Sequence, residues 1–475
     1  MCYMGKTLSN FKARLTRFDQ SRKDTGKTIS IEDALMAFRE FDTPQLSRRS
    51  LFRSTGYLAA SSAMATLPFS GSILRAHDVS ESWPNVAAMV RKYLSENKVA
   101  NLYLKFGMGQ EDHAHSIGGG NLAFGSGTKV DEDSLFRIYS MTKPITGMAT
   151  MMLIDEGKIG LDQPVAEILP EFANMQVIVD PEGSLDNTVP AETPITIRQL
   201  LTHTAGLGYI IGVKGPLLAA YAQNGLVGGR VSRLPIPGLP EVTPAPDLAA
   251  WSERLASLPL VAQPGKRWIY SASIDLLGRV IEVASGQDFE SFLKQRLFDP
   301  CGMSSTFFTV PESETSRLTT NYGVNEMLPV PLPIDPGASS IYLDKPSVPS
   351  GGGGLVSSPR DYDRFLRMLL GYGKLDGRRV MGELAVRVGT SNLLPKSVDT
   401  TGSWIAGEGH GAGGRVANNS FGWGGAAGTL ASVDFGLNMR VGLFTQYMPA
   451  EAYSIRADFL EAVEKDLVSM RGGAA

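Results

Sequence analysis

Ser140 and Lys143 stand three residues apart in the stretch L-F-R-I-Y-S-M-T-K-P-I-T-G at positions 135–147. If the serine opens a helix, residues i and i+3 share a face, and the lysine ammonium reaches the serine hydroxyl. A serine hydroxyl is a poor nucleophile until a base takes its proton. A lysine serves as that base where burial or a neighbouring cation favours its neutral form. The pair therefore reads as an activated nucleophile. An S-x-x-K recurs by chance, so other residues must support the assignment.

Three more stretches carry candidate chemistry. In R-W-I-Y-S-A-S-I-D-L-L-G at 267–278, Tyr270 precedes a helical run, so its phenol can project from a loop into a cleft. A tyrosine beside a lysine can relay a proton; the competing reading is a half-buried tyrosine with an ordinary hydrogen bond. In F-G-W-G-G-A-A-G-T at 421–429, Gly424 and Gly425 let a backbone approach another group closely. An edge strand there would offer N–H groups to a carbonyl oxygen and, with the N–H of Ser140, form an oxyanion hole. The alternative is a hairpin whose glycines only make turns. In L-L-T-H-T-A-G-L at 200–207, His203 invites a Ser-His-Asp reading. A helix-ending histidine bonded to backbone is preferred, because histidine is favoured near helix C-termini. No G-x-S-x-G elbow surrounds Ser140, which argues against an α/β-hydrolase.

Several elements must position these groups. The run 141–157 is apolar on most faces and reads as a buried helix, a stiff mount whose N-terminus favours developing negative charge. Pro144 falls in its first turn, where a missing N–H costs little. Before it, 86–94 reads as an amphipathic helix, and 99–106 and the stretch after His113 as strands, with Gly118–Gly120 between strands. From about 165 to 345, helical segments such as 197–201 and 276–285 alternate with Pro- and Gly-rich loops; five prolines in 235–246 exclude regular structure there. Such long loops can wall a cleft. After Gly351–Gly354 come a helix at 361–370, a turn at 375–378, strands at 421–423, 429–434 and 439–445, and a last helix at 455–469. Strands on both sides of a helical middle imply one sheet assembled from both ends of the sequence. The organisation expected is an N-terminal extension at 1–46, a signal-like segment and linker at 47–78, an α/β domain from 79–165 and 346–475, and a mainly helical domain at 166–345.

Composition narrows the classes. A chain of 475 residues suits two intimately packed domains, and its net charge of −3 gives no reason to propose nucleic acid or an acidic membrane surface. Cys2 and Cys301 are the only cysteines, too few for a zinc site or a disulfide framework. His113 and His115 would share a strand face, a thin basis for a metal site, and none is assigned. S-R-R-S-L-F-R at 47–53, followed by the mild apolar stretch 54–69 and Ala63-Met64-Ala65, resembles a twin-arginine export signal. The arginines lie far from Met1, and Met36 would be a start at a more usual distance. The segment implies a periplasmic or secreted protein; a surface helix with a chance Arg-Arg pair in a cytoplasmic protein is the alternative. The apolar stretch is too weak for a membrane span.

S-M-T-K, L-L-T-H-T-A-G-L, Y-S-A and W-G-G-A-A-G, in this order, resemble the serine β-lactamase and penicillin-binding-protein superfamily. The likeness is greatest to class C β-lactamases and the family VIII carboxylesterases that share their fold, and runs roughly from Val86 to Val468. It implies an α/β (α+β) fold of the β-lactamase/transpeptidase type, an antiparallel sheet flanked by helices plus an all-helical domain, with the nucleophile between them. It implies Ser140 as acylated nucleophile, Lys143 as its proton partner, Tyr270 as general base or relay, and the N–H groups of Ser140 and Ala426 as oxyanion hole. Trp423, Gly424 and Gly425 would bind substrate. Trp423 stands where β-lactamases carry the lysine of K-T-G, and Ala272 replaces the asparagine usual after Y-x. Both departures point from a charged lactam toward a neutral, more apolar ester. The expectation is therefore a serine hydrolase of small carboxylic esters with no metal or organic cofactor. A β-lactamase, D,D-peptidase, amidase or acyltransferase of the same fold is the first rival, and a non-catalytic binding protein the second. Oligomeric state is left open.

Overall fold

The computed structural model describes residues 79–110, 114–233, 242–324 and 331–472. The export-signal segment, the N-terminal 46 residues, His113 and most of the proline run lie outside the described residues; its remainder, 242–246, contains no helix or strand.

Seven described strands form one antiparallel sheet: β1 (Asn101–Met108), β2 (His115–Gly120), β3 (Gly409–His410), β4 (Arg415–Ala417), β5 (Ser420–Gly424), β6 (Leu430–Asp434) and β7 (Met439–Phe444). Their order is β3-β4-β5-β6-β7-β1-β2. The β1–β7 ladder, in register from Tyr103↔Phe444 to Met108↔Met439, joins the two distant parts of the sequence into one sheet, as expected. Strand alternation then sorts the side chains. Leu102, Leu104 and Phe106 of β1, with Met439, Val441 and Leu443 of β7, enter an apolar cluster with helix α1 (Pro84–Ser95). Phe421, Ala431, Val433 and Phe444 face the opposite layer.

Gly118–Gly120 lie inside β2 rather than between strands. Glycine is needed at 118 because an added Cβ would sit 2.6 Å from the Tyr103 ring and 3.0 Å from Leu102 O. The sequence signal for a turn was here a signal for close packing.

The opposite layer begins with helix α2 (Thr142–Asp155), which buries 12 of its 14 residues. It has no solvent face, so its hydroxyls bond within the protein: Thr150 Oγ1 to Thr146 O at 3.0 Å, and Thr146 Oγ1 to Gly351 O at 2.8 Å. Helix α3 (Ile197–Leu201) packs on helix α4 (Ser273–Ser285), which covers α2 from the middle of the chain, and Ile145, Met148, Leu200, Trp251 and Leu276 share one apolar cluster. Helix α5 (Pro359–Leu370) opens on Pro359 and the Ser358 side chain, which accepts from Asp361 N at 3.2 Å. It packs on the sheet beside α2, and helix α6 (Glu383–Gly389) also packs on α2. Helix α7 (Ile455–Gly472) completes the layer of α1 through Ile455, Phe459 and Val463. Among the described residues no helix is long and apolar enough to cross a membrane.

Two buried arginines tie the layers. Arg440 Nε donates to Asp363 Oδ1 at 2.7 Å, joining β7 to α5. Arg137, three residues before Ser140, donates to Asp335 Oδ2, to Thr319 O at 2.6 Å and to Ser340 Oγ at 3.0 Å. A buried charge persists only when satisfied in this way, and breaking the Arg137 set would loosen the segment that leads to Ser140.

Candidate active site

The segment Phe136–Arg137 pairs with Val356–Ser357, after which one 3₁₀ turn, Tyr139–Met141, leads into α2. Tyr139 adopts φ +41°, a left-handed conformation that a tyrosine does not favour. Asn321 Nδ2 donates to its hydroxyl at 3.3 Å, and its ring lies edge-on to Tyr342 with centroids 6.4 Å apart. Strain of this kind persists where the surroundings over-determine it, and it collects at functional sites. Here it stands immediately before Ser140, at the N-terminal end of a helix.

Lys143 is fully buried, while Ser140 and Tyr270 remain partly exposed. Lys143 Nζ donates to Ser140 Oγ at 3.2 Å and to Gly352 O at 2.6 Å. Tyr270 Oη lies 2.7 Å from Ser140 Oγ. The Lys143 nitrogen stands 4.4 Å from the centre of the Tyr270 ring and 5.6 Å from that of Tyr209. Two groups from distant stretches of the sequence, Lys143 Nζ and Tyr270 Oη, therefore converge on the Ser140 oxygen.

Tyr270 is held by its neighbours' backbone. Ile269 N donates to His203 O at 2.9 Å, Ser271 N to His203 Nδ1 at 3.2 Å, and Ala272 N to Gly208 O at 3.0 Å. His203 ends α3 as expected. Its φ of +56° fills the left-handed position that glycine usually takes, with Thr204 N bonded to Gln199 O and His203 N to Leu200 O. Its Nδ1 also lies 3.0 Å from Ser271 Oγ, and its ring is 4.8 Å from that of Tyr270. The histidine thus braces the tyrosine and forms no triad with Ser140. Burial holds the His203 imidazole well below its usual range, with the nearby His410 and Lys143 acting the same way. The His410 ring, 5.4 Å away, is pushed down to about 3, chiefly by burial.

Strand β5 delivers the third component. Gly425 N donates to Thr429 O at 2.8 Å, closing a turn that carries Ala426. An added Cβ at Gly425 would lie 2.3 Å from Ile138 O, so glycine lets the turn reach the backbone two residues before Ser140. Ala427 packs on Tyr139 and Met448, and Arg456 of α7 donates to Gly425 O and, at 2.9 Å, to Thr429 O. The turn carrying Ala426 is thereby pressed against the turn carrying Ser140.

Trp423 stacks on Tyr270, with centroids 5.8 Å apart and planes at 20°. Trp404 lies 4.5 Å from the same ring, and Trp268 at 6.1 Å. The sequence reading singled out Trp423 but missed Trp404, His410 and Tyr209. No local motif marks these three; only Trp268, two residues before Tyr270, lay inside a stretch already singled out.

Comparisons with known proteins agree with this architecture. The family model "Beta-lactamase" matches residues 90–464. An uncharacterized protein of Mycobacterium tuberculosis is 38% identical over 269 residues, 57% of this chain and 62% of the relative. Esterase EstB of Burkholderia gladioli is 33% identical over 255 residues, 51% of this chain and 59% of the esterase. The matched part thus spans about three fifths of the length of these curated relatives. Among solved structures, EstCE1, described as a hydrolase with promiscuous acyltransferase activity, superposes with a TM-score of 0.65 at 22% identity, covering 81% of this chain and 99% of that one, a likeness of fold. With a family model matched over most of its length and a Ser-x-x-Lys turn set between an antiparallel sheet and a helical layer, the chain belongs to the β-lactamase family.

Proposed function

We propose that this protein is a serine hydrolase of neutral carboxylic esters, working through an acyl-enzyme on Ser140. The observation that carries the reading is the convergence of Lys143 Nζ and Tyr270 Oη on Ser140 Oγ, at 3.2 and 2.7 Å. One member of the Lys143–Tyr270 pair is unprotonated at the moment of attack. It takes the Ser140 proton as Oγ bonds to the ester carbonyl carbon, and the pair returns that proton to the leaving alkoxide as the carbon–oxygen bond breaks. Water then gives a proton to the pair as it attacks the acyl carbon, and Ser140 Oγ recovers a proton as its acyl bond breaks. The N–H groups of Ser140 and Ala426 are assigned to the tetrahedral oxyanion, where one well-placed donor contributes about 10²–10³-fold in kcat.

The preference for an ester over a β-lactam rests on Trp423, an uncharged side chain stacked on Tyr270 at the position where the resemblance to β-lactamases implies the lysine of K-T-G. Trp404 and Trp423 beside Tyr270 suit an apolar acyl or alcohol group. The esterase name of the Burkholderia relative supports the same reading. The test is intact-protein mass spectrometry with p-nitrophenyl butyrate and, in parallel, nitrocefin, for wild type and Ser140→Ala. Ester turnover with a Ser140-dependent acyl adduct and little nitrocefin hydrolysis is expected. Faster nitrocefin turnover would make the protein a β-lactamase, and no adduct with either would return it to the non-catalytic class.

A further inference from the structure

Asp275 is a buried carboxylate that the mechanism above does not use. It sits in the first turn of α4, five residues after Tyr270, and is 1% exposed. Its Oδ1 accepts from Ser350 Oγ and, at 3.0 Å, from Gly352 N. The carbonyl of the same Gly352 accepts from Lys143 Nζ at 2.6 Å. A single residue, Gly352, thus bridges the carboxylate and the catalytic ammonium, giving its N–H to one and its C=O to the other. Among the described residues Asp275 Oδ2 has no hydrogen-bond partner, and an added Cβ on Gly352 would fall 2.5 Å from it. The carboxylate is therefore pressed against this bridge with half of its acceptor capacity unused.

An unpartnered carboxylate oxygen is costly in a core, and apolar packing would suit the fold as well. Its retention beside Lys143 calls for an electrostatic reason. We propose that Asp275 is a positioning residue for Lys143: through Gly352 it fixes the ammonium beneath Ser140, and its negative charge sets the pH at which the Lys143–Tyr270 pair can accept the serine proton. The inference rests on the nucleophile assignment above. Burial pushes the Asp275 carboxyl upward while the Lys143 charge, Ser350 and Gly352 oppose that push, so the carboxyl is responsive to this cation. The groups facing Lys143 from the surrounding elements are Ser140 and Tyr270, the Tyr209 ring, the buried His203 and His410, and Asp275. Asp275 is the one carboxylate among them.

The sign follows from charge. A nearby anion favours the protonated, cationic form of a lysine and disfavours a phenolate. Removing it makes the pair a base at lower pH. The experiment measures the rate of Ser140 labelling by a fluorophosphonate against pH, read by intact mass, for wild type and Asp275→Asn. This readout needs only a competent nucleophile and does not depend on the ester. In Asp275→Asn the acid limb is expected to move down by about one pH unit, while labelling on the plateau slows because Lys143 is less well held. A variant that labels slowly with an unmoved acid limb, or that matches wild type throughout, overturns the proposal and leaves the Ser140 reading intact. Wild type that does not label at all overturns both. If Asp275→Asn does not fold, Asp275→Ser leaves room and an acceptor for Gly352 N–H, and the same shift of the limb is required of it.

Discussion

The turn that holds Ser140 and the aromatic wall that faces it meet at one 2.7 Å contact and are built in opposite ways. On the turn side, Ser140 and Lys143 lie within four consecutive residues, and helical spacing alone brings them within 3.2 Å. That side is mounted on a helix buried on nearly every face. The wall draws Tyr209, Trp268, Tyr270, Trp404, His410 and Trp423 from separate stretches, most of them in loops. Backbone bonds from His203 and Gly208 hold Tyr270 in place. Removing the Ser140 hydroxyl should therefore cost function without the fold, whereas a change that pushes the two sides apart should cost both.

The largest effect expected is that of Ser140→Ala, which should lower ester turnover by about 10⁴-fold or more, with the melting temperature moved by no more than about 2 °C. Initial rates and thermal melts of the same samples check it; a collapse of the melting temperature would make the serine a structural residue and erase the contrast. Next come Tyr270→Phe and Lys143→Ala, each expected to lower kcat by about 10²–10⁴-fold. They separate on stability. Lys143→Ala leaves Gly352 O without its donor and should destabilise by about 1–3 kcal/mol, while Tyr270→Phe keeps its packing. Urea unfolding curves distinguish them, and retained activity in either variant would remove that residue from the mechanism.

Gly425→Ala tests the joint between the two sides. A methyl group 2.3 Å from Ile138 O must push the turns apart. The expected outcome is a loss of about 1–3 kcal/mol together with a fall in kcat of up to about 10²-fold, measured by urea titration and steady-state kinetics. Unchanged kcat would mean that Ala426 does not serve the oxyanion.

The smallest effect belongs to the wall's buried histidines and is read in stability against pH. His410 stays neutral in the folded protein down to about pH 3, whereas an unfolded histidine takes up its proton near pH 6.5. Below about pH 6.5 the unfolded state binds more protons, so stability falls as pH falls, by about 1.4 kcal/mol per pH unit for each such histidine. His203 contributes with the same sign. Asp361, raised to about 6 chiefly by burial, contributes with the opposite sign, because the folded protein holds its proton more tightly. The test is therefore a difference: between pH 6 and pH 5, His410→Asn should show a stability slope shallower than wild type by about 1.4 kcal/mol per unit. Equal slopes would mean that His410 already carries its proton in the fold.

The turn side was legible in the sequence because its information is local. Ser140, Lys143, the apolar run after them and Pro144 in the first turn all follow from spacing and periodicity. The pairing of β1 with β7 was also foreseeable, since strand patterns occurred on both sides of a helical middle. His203 was read correctly as a helix terminator, yet its contact with Tyr270 was not. Gly118–Gly120 were misplaced because glycine marks both a turn and a close approach, and only the position of the Tyr103 ring distinguishes them.

What the sequence by itself determined is the chemistry available: a serine with a lysine one helical turn away, a tyrosine before a helix, and a glycine-rich strand end that carries Trp423. Only the tertiary structure decided that Tyr270 lies 2.7 Å from Ser140, that Gly425 presses its turn onto Ile138, and that Asp275 meets Lys143 across Gly352. The physical reason is range. Helix spacing and strand alternation act over a few residues and are written in residue type. Contacts between residues more than a hundred positions apart depend on how close-packed layers and loop anchors settle together, and no local pattern records that.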